Sequence, residues 1–139
     1  MKFPYQMLTF AYGAFVFWLL TQPQMLETPA GIPFNDTAAH FVLFAGMAGV
    51  IVVGMYRSNP AAHPALLLWM PFAGSFLYGA FLEVVQIYVP LRQFEWQDIA
   101  ANGSGAFAAQ YGFWYWRRRR GMRIQERSVQ GEPGEAPRE

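Results

Sequence analysis

Residues 83–102 read EVVQIYVPLRQFEWQDIAAN and set a carboxylate, Glu83, and an amide, Gln86, inside an otherwise apolar segment. The segment breaks at Pro90, turns through Arg92, and becomes apolar again behind Asp98 and Asn102. A further polar pair, Asp36 and His40, opens the preceding apolar stretch. An imidazole near carboxylates, as His40 and Glu83 would be, is a candidate general acid or base. A guanidinium such as Arg92 can pair with Glu83 or hold an anion such as a phosphate. Asp36, His40, Glu83 and Asp98 are also metal-ligand types, but Asp-x-x-x-His alone is weakly specific, and neither a metal nor a cofactor is expected. The bland reading makes Asp36 and Asp98 helix caps, the role favoured for both. It makes the other polar groups a hydrogen-bonded plug, at about 1–2 kcal/mol per bond. That accounts for the amides. It accounts less well for Glu83, His40 and Arg92 together, because ionisable side chains inside a membrane usually mark function.

The elements that must position these residues follow from the charge pattern. Only 14% of the 139 residues are charged, against about 25% in soluble domains. Stretches 3–26, 37–56, 58–82 and 99–116 hold no Asp, Glu, Lys or Arg, and each reaches the roughly 18 residues that a membrane-spanning helix needs. We expect an all-α, polytopic membrane protein: an antiparallel bundle of four transmembrane helices over residues 1–116, with spans at about 3–20, 38–56, 66–90 and 98–116. Asn35-Asp36-Thr37 is an N-cap signal for the second span. Pro64 and Pro71 each offer a start for the third, with Pro71 alternatively kinking a longer helix, and Pro90 ends it. Residues 117–139 read as a basic, then disordered, cytoplasmic tail. A cleaved signal peptide is the rival reading of the first span. The long apolar region, the lone preceding Lys2 and the poor cleavage site at Thr28-Pro29-Ala30 argue against it. The chain has no cysteine, which excludes disulfides, thiolate nucleophiles and Cys-ligated zinc. Its net charge of +1 gives no reason to expect nucleic acid as a partner.

Seven of the ten basic residues lie from Arg117 onward, which predicts cytoplasmic N- and C-termini by the positive-inside rule. Trp18 and Trp96 then fall at the outer interface, and Trp69, Trp114 and Trp116 at the inner one. In that frame Glu83 lies about 10 Å below Pro90, His40 about 6 Å below Asp36, and Asn102 about 6 Å below Asp98. All belong to the outer half, from three different helices. Asp36/His40 and Asp98/Asn102 are each four apart and share a face. Small residues continue the stripes, Gly79 and Ser75 below Glu83, and Gly105, Ala109 and Gly112 below Asn102. We expect spans three and four to pack along them.

These residues resemble the VanZ-like membrane proteins, named for a teicoplanin-resistance protein. The family pattern opens one helix with Asp-Lys-x-x-His-Phe, followed by Glu-x-x-Gln-x-x-x-Pro-x-Arg and then Asp-x-x-x-Asn-x-x-Gly. The matching residues are Asp36, His40 and Phe41; Glu83, Gln86, Pro90 and Arg92; and Asp98, Asn102 and Gly105. Thr37 stands where the family usually has Lys. The resemblance implies a bacterial inner-membrane protein acting at the cell envelope, with reduced sensitivity to teicoplanin-type glycopeptides. It supplies no established chemistry.

Three functions are carried forward. The first is a non-enzymatic protein binding an anionic lipid or lipid-linked cell-wall intermediate through Asp36, His40, Glu83, Gln86, Arg92, Asp98 and Asn102. The second is an intramembrane enzyme acting on such a lipid, with His40 or Glu83 as acid or base. The third is a structural or assembly subunit, whose partner is another membrane protein or a further copy of this chain.

Overall fold

A computed structural model describes residues 5–22 and 36–129, with side-chain surroundings as far as Met122. Four helices account for nearly all of it, and the described residues contain no strand: α1 Tyr5–Leu20, α2 Asp36–Ser58, α3 Pro64–Gln86 and α4 Trp96–Val129. α2 and α3 are long and apolar enough to cross a membrane, whereas α1 is a shorter apolar helix of 16 residues. Lys2, most of loop 21–35, including the Asn35 cap and the Thr28-Pro29-Ala30 site, and residues 130–139 lie outside the described residues.

Local chemistry explains most of the helix ends. α1 closes on its own side chains: Thr21 Oγ1 donates to the Phe17 carbonyl at 2.7 Å and Gln22 Nε2 to the Trp18 carbonyl at 2.8 Å. Pro64 opens α3 at a position where its missing N–H is harmless. His63 is the N-cap, with Nδ1 accepting from the Ala65 N–H at 3.3 Å. Pro71 sits buried inside α3 and does not end it.

Two boundaries differ from expectation. α3 ends at Gln86, not at Pro90. Residues 87–92 wind through tight turns, with Tyr88 N–H on the Val85 carbonyl at 3.0 Å and Arg92 N–H on the Val89 carbonyl at 3.2 Å. The residue before a proline is disfavoured in the helical region, so the break begins upstream of Pro90. Leu91 then takes a left-handed φ of 64°, a conformation costing a non-glycine residue about 1–2 kcal/mol. At the other end, α4 does not stop at Trp116 but continues to Val129. Arginine is a good helix former, and Gly121 is tolerated at about 1 kcal/mol. Arg119 and Arg120 also fold back over Tyr115 and Trp116, one turn earlier, at 4.6 and 4.7 Å from the ring centres.

The helices run alternately up and down. Arg57, at the end of α2, donates to the Tyr5 hydroxyl at the start of α1 at 3.2 Å. At the opposite end Gln86 Nε2 of α3 donates to the Leu20 carbonyl of α1 at 3.0 Å. A small core of Val16, Leu20, Phe44, Met47 and Leu82 joins the first three helices. Large apolar side chains meanwhile face outward on every helix, Phe10 (79% exposed), Leu77 (65%) and Phe107 (64%) among them.

Glycines set the closest approaches. A Cβ at Gly79 of α3 would meet the Asn102 amide of α4 at 2.6 Å, as the small-residue stripes predict. Gly105 instead packs on α2, where a Cβ would run into the Phe41 carbonyl oxygen, whereas Gly112 has open space around its Cβ position. Gly49 has open space around its Cβ position. Backbone cannot yield as a flexible side chain can. Gly105→Ala is therefore expected to destabilise the fold by about 1–3 kcal/mol, while Gly49→Ala is neutral or gains up to about 1 kcal/mol from helix propensity. Thermal unfolding of the two variants in detergent checks the contrast.

Candidate functional site

The ends of α2, α3 and α4 that lie beside the 87–95 connection bring four polar side chains into one buried cluster. His40 comes from α2, Glu83 from α3, and Asp98 and Asn102 from α4; His40, Glu83 and Asn102 are fully buried and Asp98 is 2% exposed. His40 stands at the centre. Its Nδ1 is 3.0 Å from Asn102 Oδ1 and 3.4 Å from Glu83 Oε1, and its Nε2 is 3.8 Å from Asp98 Oδ2. Phe44, one turn along α2, stacks on the ring at 6.1 Å between centres. The helical spacing makes this possible: the four-residue step from Asp98 to Asn102 puts both on the face turned to α2, and Gly79 gives Asn102 the room to reach His40.

Asp98 is not a cap. It lies inside the first turn of α4, and the carbonyl of Glu95 accepts from the Asp98 and Ile99 N–H groups instead. The Glu95 N–H in turn donates to Glu83 Oε2 at 3.3 Å, so a side chain of α3 anchors the backbone leading into α4. Sequence reading missed Glu95 because the contact is made by its backbone, which leaves no trace in residue type.

Arg92 does not reach Glu83. It pairs with Asp36 at the edge of the cluster, and its Nε lies 3.5 Å from the Gln22 carbonyl. The turn through Leu91 directs it there, and the Glu95 N–H already occupies one Glu83 oxygen. Gln86 also leaves the cluster, because its amide bonds to α1 through the Leu20 carbonyl. Gln110, which the sequence did not single out, is buried on α4 without a hydrogen-bond partner among the described residues.

Chemically, the cluster offers an imidazole whose two ring nitrogens each face a carboxylate, a guanidinium at the rim, and several buried polar atoms without a hydrogen-bond partner among the described residues. These atoms are His40 Nε2, Glu83 Oε1, Asp98 Oδ1 and Asn102 Nδ2. Asp36, His40 and Asp98 each offer one ligand atom, and the three atoms lie within 4.8 Å of one another. A groove of about 1160 Å³ lies elsewhere. It lies among Tyr5, Val52, Tyr56, Arg57, Phe113 and Arg120, near the opposite helix ends.

No protein family, curated protein or solved structure matches the chain.

The geometry separates the charge of Glu83 from its hydrogen bonding. Glu83→Gln keeps an oxygen for the Glu95 N–H and removes the ionisable group. Burying an ionised carboxylate carries a desolvation cost that a neutral amide of the same shape does not, so this variant is expected to melt at or above the wild-type temperature. Glu83→Leu strands the Glu95 N–H and is expected to lose about 1–3 kcal/mol. Unfolding of the two variants side by side reads the difference, and collapse of Glu83→Gln would assign the charge to the fold itself.

Proposed function

We propose that the chain is a VanZ-like integral membrane protein of the bacterial inner membrane, crossing it four times with both termini cytoplasmic. It acts at the cell envelope by binding an anionic lipid or a lipid-linked cell-wall intermediate at the polar site. The observation that carries this reading is the inverted distribution of side chains. Large apolar residues cover the outside of all four helices, while His40, Glu83, Asp98 and Asn102 are sealed between helices. Soluble proteins rarely expose apolar patches on this scale, and ionisable groups inside a bilayer turn toward the bundle interior. The arginines of α4, which follow Trp114 and Trp116, and Trp18 and Trp96 at the end of α1 and the start of α4 fit the same orientation.

In this reading Arg92 is the anion contact. It sits at the rim, its side chain 10% exposed, and five guanidinium donors can serve both Asp36 and a phosphate. His40 and Glu83 orient the head group, and Gln86 and Asn102 tie the helices together. Reduced sensitivity to teicoplanin-type glycopeptides is the effect at the envelope that this reading implies. A second reading, an intramembrane enzyme acting on the same lipid, draws on the His40 ring lying between the Glu83 and Asp98 carboxylates.

Binding of a short-chain polyprenyl phosphate, and separately of phosphatidylglycerol, to the detergent-purified chain tests the proposal. Arg92→Ala is expected to weaken binding by about 10–100-fold, the range for a hydrogen bond to a charged group, while Glu83→Gln retains it. Failure of both lipids to bind, or wild-type binding by Arg92→Ala, would sink the head-group reading. Turnover of either lipid that Glu83→Gln abolishes without loss of binding would favour the enzyme.

A further inference from the structure

Among the described residues, the polar cluster holds more carboxylates than cations. Asp36, Glu83 and Asp98 supply three carboxylates, and Arg92 is the only Lys or Arg between Arg57 and Arg117. Arg92 is already engaged by Asp36. Glu83 and Asp98 are buried deeper, and burying carboxylates without a compensating charge is strongly disfavoured.

The imidazole shows where the missing charge belongs. Nδ1 of His40 faces two acceptors, the Asn102 amide oxygen at 3.0 Å and a Glu83 carboxylate oxygen at 3.4 Å. Nδ1 therefore carries a hydrogen and donates it. In neutral imidazole that leaves Nε2 as a bare lone pair. Nε2 is buried, has no hydrogen-bond partner among the described residues, and faces Asp98 Oδ2 across 3.8 Å. Asp98 Oδ1 is likewise buried without a partner. Two acceptors held face to face repel each other unless a positive centre lies between them.

We propose that Asp36, His40 and Asp98 form a binding site for a first-row divalent metal cation. One ligand atom from each lies within 4.8 Å of the others. Ligand atoms bonded to a tetrahedral zinc at about 2.0–2.2 Å stand about 3.3 Å apart, so side-chain rotations of about an ångström close the trio on an ion. A carboxylate has about four lone-pair sites, so Asp36 can hold Arg92 and a cation together. One nitrogen and two carboxylate oxygens suit zinc or manganese, and the chain has no thiolate to select a softer ion. Behind the ring, Asn102 Oδ1 accepts the Nδ1–H and Glu83 Oε1 lies 3.4 Å from the same nitrogen, the arrangement that fixes the tautomer of a metal-binding histidine and raises its basicity. Three protein ligands leave at least one coordination position open. The cation site goes beyond the head-group reading and does not depend on it.

The test uses the full chain, purified in detergent and stripped with a chelator. Co2+ binding is followed by visible absorption, and Zn2+ binding by equilibrium dialysis with elemental analysis. The wild type is expected to bind one equivalent. His40→Gln and Asp98→Asn each lose affinity by about 100-fold or more, and Glu83→Gln, which acts through the ring, by about 10–100-fold. His63→Gln, at the cap of α3, binds as wild type. Asn102→Asp keeps an acceptor for Nδ1–H and retains binding, so the result stays readable if a ligand variant fails to fold; circular dichroism and gel filtration establish folding in each case. A folded wild type that takes up neither ion overturns the proposal and assigns the positive centre at Nε2 to a proton. Binding that is lost with His63→Gln and kept with His40→Gln overturns it equally.

Discussion

The structure turns on one requirement: ionisable groups removed from water must find their partners on other helices. His40 meets it by reaching from α2 to Asn102 on α4 and Glu83 on α3. No single helix could satisfy these groups, because side chains on one helix face share a direction and cannot surround one another. The junction therefore fixes the mutual rotation of α2, α3 and α4. Ser75 on α3, donating to the Phe44 carbonyl at 3.1 Å, repeats the same device two turns below Glu83.

Close approach is what makes these short contacts available. Gly79 opens the seam between α3 and α4, and Gly105 lets α4 lie against the backbone of α2. With little apolar volume enclosed, the polar contacts and glycine seams carry more of the specificity than in a soluble core. In the membrane reading this is expected, because lipid tails offer helices no hydrophobic reason to associate. The connection after α3 completes the arrangement. It anchors α4 through the Glu95 N–H and swings Arg92 onto Asp36, which draws the start of α2 toward the same end.

Much of this was legible in the sequence. Four-residue spacings placed Asp36 with His40 and Asp98 with Asn102, and the apolar runs between them fixed how far apart along the chain the three helices carry their polar groups. What was not legible depended on rotation and on backbone. Glu83 and Gln86 are three apart, so their side chains point about 60° apart around the helix; that angle is enough to send one toward α4 and the other to α1. The partner of Arg92 depended on the left-handed Leu91, and no residue type announces that conformation. The run past Arg117 reads as tail because charge marks an interface, yet charge does not break a helix, and α4 continues to Val129.

The central claim is that His40 and Asn102 act as one unit across α2 and α4. A double-mutant cycle measures it directly, using His40→Phe, Asn102→Leu and the combined variant, with reversible unfolding in detergent as the readout. The account predicts a coupling of about 1 kcal/mol or more, within the range for residues that share a network. Effects that add to within about 0.3–0.5 kcal/mol, as for distant independent sites, would contradict it.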